Sequence, residues 1–281
     1  MALPFAAGPS LAAALHGSDP AVRSVASTQL WLGWALGVVA VLIPHPVALT
    51  AIRLLAPGAV VAGAAALRAG HPSAVGTAVT VVACALAFGA PVGARWVNGP
   101  AYPNERRFLL RAPGPLLFGP LALVWAAIAG GTAAGPLLVA AGRPAAGVAA
   151  VVTGGPLVWL LVRSVHHLSR RWAVFVPAGM VLHDPMSLVD PFLFARQHVV
   201  SLRPARAGTD ALDLTQRSPG VAVELALDEP AGLGLLRPGR RLGQPVEATA
   251  VLFTPSRPGD LLEEARRRRL GTPAADRRAG S

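Results

Sequence analysis

One short stretch of the chain places His183 and Asp184 close ahead of Asp190, Arg196 and His198. Imidazoles and carboxylates can move protons, and a guanidinium beside carboxylates can grip a charged or peptide ligand. The loop joining two strands can gather Asp184, Asp190, Arg196 and His198, which are read as a candidate binding cluster rather than a catalytic one. No nucleophile elbow, phosphate loop, HExxH or paired-cysteine pattern accompanies them. An enzymatic reaction, a cofactor and a metal are therefore not expected. His166 and His167 are neighbours, about 100° apart on a helix, so they cannot share a metal without distant ligands. They are read as interfacial histidines at the end of a span. Cys84, the single cysteine, lies in an apolar stretch as a small packing residue. Arg53 is the one ionised group well inside such a stretch. It is a candidate intramembrane anion or substrate group, although a snorkelling side chain is the preferred reading.

The segments that must position these residues are of two kinds. Between Leu30 and Val165 there is no Asp, and the only Glu is Glu105. A carboxylate in hydrocarbon costs roughly 2.5–3.5 kcal/mol even on the lenient insertion scale, so this pattern suits lipid. Of 281 residues 53% are hydrophobic and 14% charged, and the mean hydropathy is +0.52, all of which favours a membrane protein. The net charge of +11 is uneven: residues 1–171 carry 11 Arg against Asp19 and Glu105, or +9, while residues 172–281 carry only +2. Cations that flank apolar spans follow the positive-inside rule, so nucleic acid is not the expected partner; the bilayer is. Every cation is Arg and none is Lys. With heavy Ala, Gly and Pro usage, this points to a GC-rich coding genome such as an actinobacterial one.

Spans of about 20 apolar residues are expected at 26–44, 47–67, 74–94, 116–141 and 145–165, within a helical domain of 27–171. Trp31 and Trp34 anchor the start of the first, and Gly154-Gly155-Pro156 should bend the last. Small residues, Gly130, Gly131 and Gly135 among them, predict close helix packing. Met1 to Asp19 lacks a basic n-region, and residues 1–26 read as a flexible tail with at most a short helix around Leu11–Leu15. Arg53, Arg95, Arg106, Arg107, Arg111, Arg163, Arg170 and Arg171 lie on one side against Arg23, Arg68 and Arg143 on the other. Eight against three places the N-terminus outside and the C-terminal domain in the cytoplasm, on a plasma-membrane, multi-pass protein. The loop 95–114 is expected to lie on the membrane surface or to dock on that domain.

Beyond Arg171 the periodicity changes to two. Strands are expected at 172–176, 180–183, 195–202, 212–216, 221–227, 232–236 and 247–253. In the cleanest, Val221, Val223, Leu225 and Leu227 face inward and Ala222, Glu224, Ala226 and Asp228 outward. A closing helix is capped by Ser256, starts at Pro258 and presents Leu261, Leu262, Ala265 and Leu270. Its pairs Glu263–Arg267 and Glu264–Arg268 have the favourable i,i+4 orientation. The run Arg266, Arg267, Arg268 and Arg269, like Arg170 and Arg171, is a candidate membrane-surface contact. Residues 271–281 read as a disordered tail.

Seven strands followed by a helix, with Val174-Phe175-Val176-Pro177-Ala178-Gly179-Met180-Val181-Leu182-His183-Asp184, Phe194-Ala195-Arg196 and Thr254-Pro255-Ser256-Arg257-Pro258-Gly259, resemble the bacterial PH-like domains. The whole layout resembles actinobacterial membrane proteins that join several spans to a cytoplasmic PH-like module. This resemblance implies that 172–270 form an all-β PH-like barrel capped by an α-helix. The first hairpin loop, Pro177-Ala178-Gly179, is uncharged, so the resemblance implies binding of a protein or peptide segment along the barrel rather than a phosphoinositide grip at that loop. The expected function is a membrane-anchored adaptor or sensor whose PH-like domain binds a protein, peptide or membrane surface. The alternatives are a small-solute transporter or channel, and an accessory subunit of a membrane enzyme.

Overall fold

The computed structural model describes residues 3–236 and 243–271. The chain divides into two compact units, Met1–Gly99 with Leu121–His166 and Pro100–Pro120 with His167–Ser281.

The first unit is helical: α1 (Leu3–Leu15), α2 (Pro20–Leu42), α3 (Pro46–Arg68), α4 (Ala74–Phe88), α5 (Ala90–Asn98), α7 (Pro120–Ala140) and α8 (Pro144–Leu168). Four of these, α2, α3, α7 and α8, are long and apolar enough to cross a membrane, and α4 with α5 makes a fifth if that bent pair is one span. All four begin on proline, whose missing N–H costs nothing in a first turn. Asp19 Oδ1 accepts from the Ala21 N–H and His45 Nδ1 from the Val47 N–H, capping α2 and α3. Large apolar side chains such as Leu42, Leu123, Val152 and Trp159 are exposed, a surface that needs lipid around it.

Three expectations change in this unit. The anticipated tail contains α1, which packs on α4: Ser73 Oγ donates to the Ala6 carbonyl at 3.2 Å, and a Cβ on Gly76 would meet that oxygen at 2.8 Å. Because α2 starts at Pro20, Trp31 and Trp34 sit at mid-helix, edge to face. The third expected span is two helices, α4 and α5, bent by 55°, and α8 stays helical through Gly154-Gly155-Pro156. Gly131 and Gly135 pack closely as expected, whereas Gly130 faces open space. A Cβ on Gly135 would strike the Val151 side chain, and one on Gly147 would meet the Gly135 carbonyl at 2.9 Å. Glycine thus lets α7 and α8 approach backbone to backbone.

The second unit is β-rich. One sheet has the order β1-β2-β3-β4, all antiparallel: β1 (Arg106–Leu109), β2 (Trp172–Val176), β3 (Gly179–His183) and β4 (Phe192–Ala195). The other has the order β5-β7-β8-β6: β5 (Val199–Pro204), β6 (Leu212–Asp213), β7 (Val223–Leu235) and β8 (Gln244–Phe253), with β6 parallel to β8. Two short helices, α6 (Gly114–Leu117) and α9 (Pro258–Arg267), complete it. The expected closed barrel is therefore two four-stranded sheets. They share one core of Phe175, Met180, Leu182, Phe194, Val223, Leu225, Val251 and Phe253, into which α9 inserts Leu261 and Ala265.

Local differences have local causes. The strand expected at 195–202 is split by a turn at Arg196, Gln197 and His198, and the strands expected at 221–227 and 232–236 merge into β7 across a bulge. Val223 and Leu225 are fully buried as the alternation requires, but Val221 is exposed. Glu224, expected outward, is covered instead: Arg203 and Thr209 bond its two oxygens. Those bonds, that from Thr209 first, hold its carboxyl below the ordinary range. The N-cap of α9 is Arg257, with no side-chain cap, rather than Ser256, while Glu263–Arg267 and Glu264–Arg268 pair as expected. The tail 272–281 lies outside the described residues.

Candidate functional site

Antiparallel pairing sets Trp172 opposite His183, so the flanking residues Arg171 and Asp184 meet just past the strand ends. Arg171 Nε and Nη2 each donate to a different Asp184 oxygen at 2.7 Å, and both side chains are 1% exposed. The remaining Nη1 donates to the Arg111 carbonyl at 2.7 Å. Asp184 also accepts from the Met186 N–H and Ser187 Oγ, and Gln216 Nε2 donates to the Met186 carbonyl and Ser187 Oγ. A bidentate pair with its lone pairs filled is what makes burying two charges tolerable. It also leaves neither partner able to take a ligand. Asp184 is thus a structural residue, and Arg171, expected at a membrane surface, is inside the unit.

The other expected binding residues are not brought together. Asp190 is exposed between β3 and β4. Arg196 donates from Nη1 to the Arg268 carbonyl at 2.6 Å and from Nε to the Pro177 carbonyl at 3.3 Å, so it satisfies the C-terminus of α9. His198 lies with Asp228 at 3.1 Å and Glu229 at 3.6 Å, on the β7 bulge. Among the described residues no group of three or more His, Cys, Asp or Glu could hold a metal ion. Of the arginines assigned to a membrane surface, Arg170, Arg266, Arg267 and Arg269 are exposed. Arg268 is half-buried, bonded to Glu264 and to the Asn104 carbonyl.

A surface that spacing did not reveal lies on the outer face of the first sheet. Trp172 and His183 stack at 5.1 Å, and the Arg107 guanidinium sits 5.5 Å from the Trp172 ring. His183 Nδ1 donates to the Arg170 carbonyl at 2.6 Å. Burial pushes the His183 imidazole below its ordinary value, and that bond opposes the shift only in part. On the same face Val181 pairs with Leu193, which is 44% exposed, and β4 is the outermost strand. The chemistry offered is cation–π contact, stacking and apolar burial beside a strand edge, which suits holding a segment of chain. The signal for it was the register of two strands, which spacing within one segment does not contain.

In the helical unit Arg53 has a structural task. Pro91, without an N–H, cannot bond the carbonyl of Ala87, and α4 ends there. Arg53 Nε donates to that carbonyl at 3.4 Å, with its guanidinium 5.9 Å from the Phe88 ring. A cation at the C-terminal end of α4 is also favoured by the helix dipole. The arrangement is cap-like. At the neighbouring turn Thr50 Oγ1 lies 2.8 Å from His166 Nδ1, linking α3 to α8. Comparisons with protein families, with curated proteins and with solved structures found no match.

Proposed function

We propose that the protein is a multi-pass adaptor or sensor of the plasma membrane whose cytoplasmic, PH-like module binds a protein or peptide segment. Its helices supply location. The two-sheet core closed by α9 supports the PH-like reading, and the excess of arginine on one side supports the cytoplasmic one. The observation that carries the binding role is the ledge of Arg107, Trp172 and His183, continued by Val181 and Leu193 to the β4 edge. A strand added to β4 would gain main-chain hydrogen bonds, and the ledge would select its side chains.

The test is a photoreactive amino acid at Leu193 of the full-length chain in its own cells. A discrete protein adduct is expected, weakened by Trp172→Ala and absent when the photoreactive group is placed at Asp213 instead. No adduct at Leu193, or equal adducts at both positions, would dismiss this surface.

A further inference from the structure

Arg111 and Arg217 are exposed residues far apart in sequence that the second unit brings side by side. Ser218 Oγ donates to the Arg111 carbonyl at 3.2 Å. The Arg217 carbonyl packs so close to Gly114 that a Cβ there would overlap it. The Arg111 side chain lies across Gly220, where a Cβ would come within 2.8 Å of its Nε. Gly220, at φ +115, and the successive residues Gln216 (φ 52) and Arg217 (φ 55) all adopt left-handed backbone. For the two non-glycine residues this conformation costs energy. The loop holds it through the Gln216 amide, anchored on the Met186 carbonyl and Ser187 Oγ at 2.8 and 2.7 Å. The backbones that carry the two exposed side chains are thereby held together, and among the described residues no carboxylate pairs with either.

A few residues beyond Arg111 the chain exposes Leu117 (40%) and Phe118 (84%), and Pro120 then opens α7, a candidate span. Arginines next to large exposed apolar side chains at the start of a span match the boundary between headgroups and acyl chains. A soluble phosphate would use the guanidiniums but leave Phe118 in water; a phospholipid uses both.

We propose that Arg111 and Arg217 form a site for the phosphate of an anionic phospholipid, with Leu117 and Phe118 against its acyl chain. The site rests on the reading that α7 lies in the bilayer, and it differs from the peptide ledge in both residues and ligand. Both side chains are exposed, and the loop is held by backbone and Gln216 contacts, so their replacement leaves the unit folded.

The experiment uses the full chain with Cys84→Ser and Gly119→Cys carrying a polarity-sensitive fluorophore, in nanodiscs of phosphatidylcholine with or without phosphatidylglycerol. Phosphatidylglycerol should shift the emission to the blue. The apparent affinity for dispersed short-chain phosphatidylglycerol should fall about fivefold for each of Arg111→Ser and Arg217→Ser, and the paired variant Arg266→Ser with Arg267→Ser should leave it unchanged. The proposal is overturned by equal emission in both lipids, by a response that survives the double replacement of Arg111 and Arg217, or by an equal loss in the Arg266 and Arg267 variant. Reproduction of the shift by inorganic phosphate would overturn the lipid as its source. Failure of the membrane reading looks different: the chain would be released by carbonate and would not enter nanodiscs.

Discussion

Asp184 shows how far a side chain's type is from its role. Its place among Asp190, Arg196 and His198 suggested a shared cluster, but direction decides: Asp184, Arg196 and His198 each face a different partner, and Asp190 is exposed. Asp184 turns into the unit because the residue across the sheet's end is Arg171, an arginine that sequence position alone assigned to the membrane surface. Removing one partner leaves an uncompensated buried charge, so Asp184→Asn or Arg171→Met should each destabilise the chain by about 3–5 kcal/mol. The double variant Arg171→Met with Asp184→Leu should recover much of the loss, read as thermal unfolding of the full chain in detergent. Simple addition of the two losses would show that the pair is not the unit of stability. Arg53 was more legible: it stood out as the charge within a span, but only the packing of α3 on α4 brings it to the Ala87 carbonyl.

Among the elements, those with strong periodicity were readable. The apolar runs of α2, α3, α7 and α8 and the alternation around Val223 and Leu225 announced themselves. β1 did not. It begins with two arginines and pairs with a strand that follows two further long helices, so nothing local marks it. Yet Phe108, Leu109 and Leu110 are all buried, and Phe108 packs edge to face on Phe175. A fragment spanning 167–271 lacks these side chains and leaves β2 as an open, apolar edge. It should be less stable by about 1.5–3 kcal/mol for each missing side chain, with a matching drop in urea midpoint. Joining residues 100–118 through a flexible linker should restore that midpoint. An unchanged midpoint without them would make β1 an ornament rather than a structural strand.

At the scale of the whole molecule, one sheet draws β1 from before α7 and β2 from after α8. Both segments must occupy one compartment, which the proposed topology satisfies if α7 and α8 both cross. In a Cys84→Ser chain, Asn104→Cys and Gln197→Cys should react with an impermeant maleimide only after cells are opened, and Arg143→Cys should react on intact cells. Labelling of 104 and 197 from opposite sides would refute that topology. The same connection sets an order on biogenesis. Residues 106–109 leave the ribosome first and must wait, unpaired, while a helical hairpin is threaded into the bilayer; only then does their partner strand emerge. Closure of the sheet thus reports that the hairpin has been delivered. A chain that fails that step carries an unmatched Phe108 and Leu109 for quality control to find.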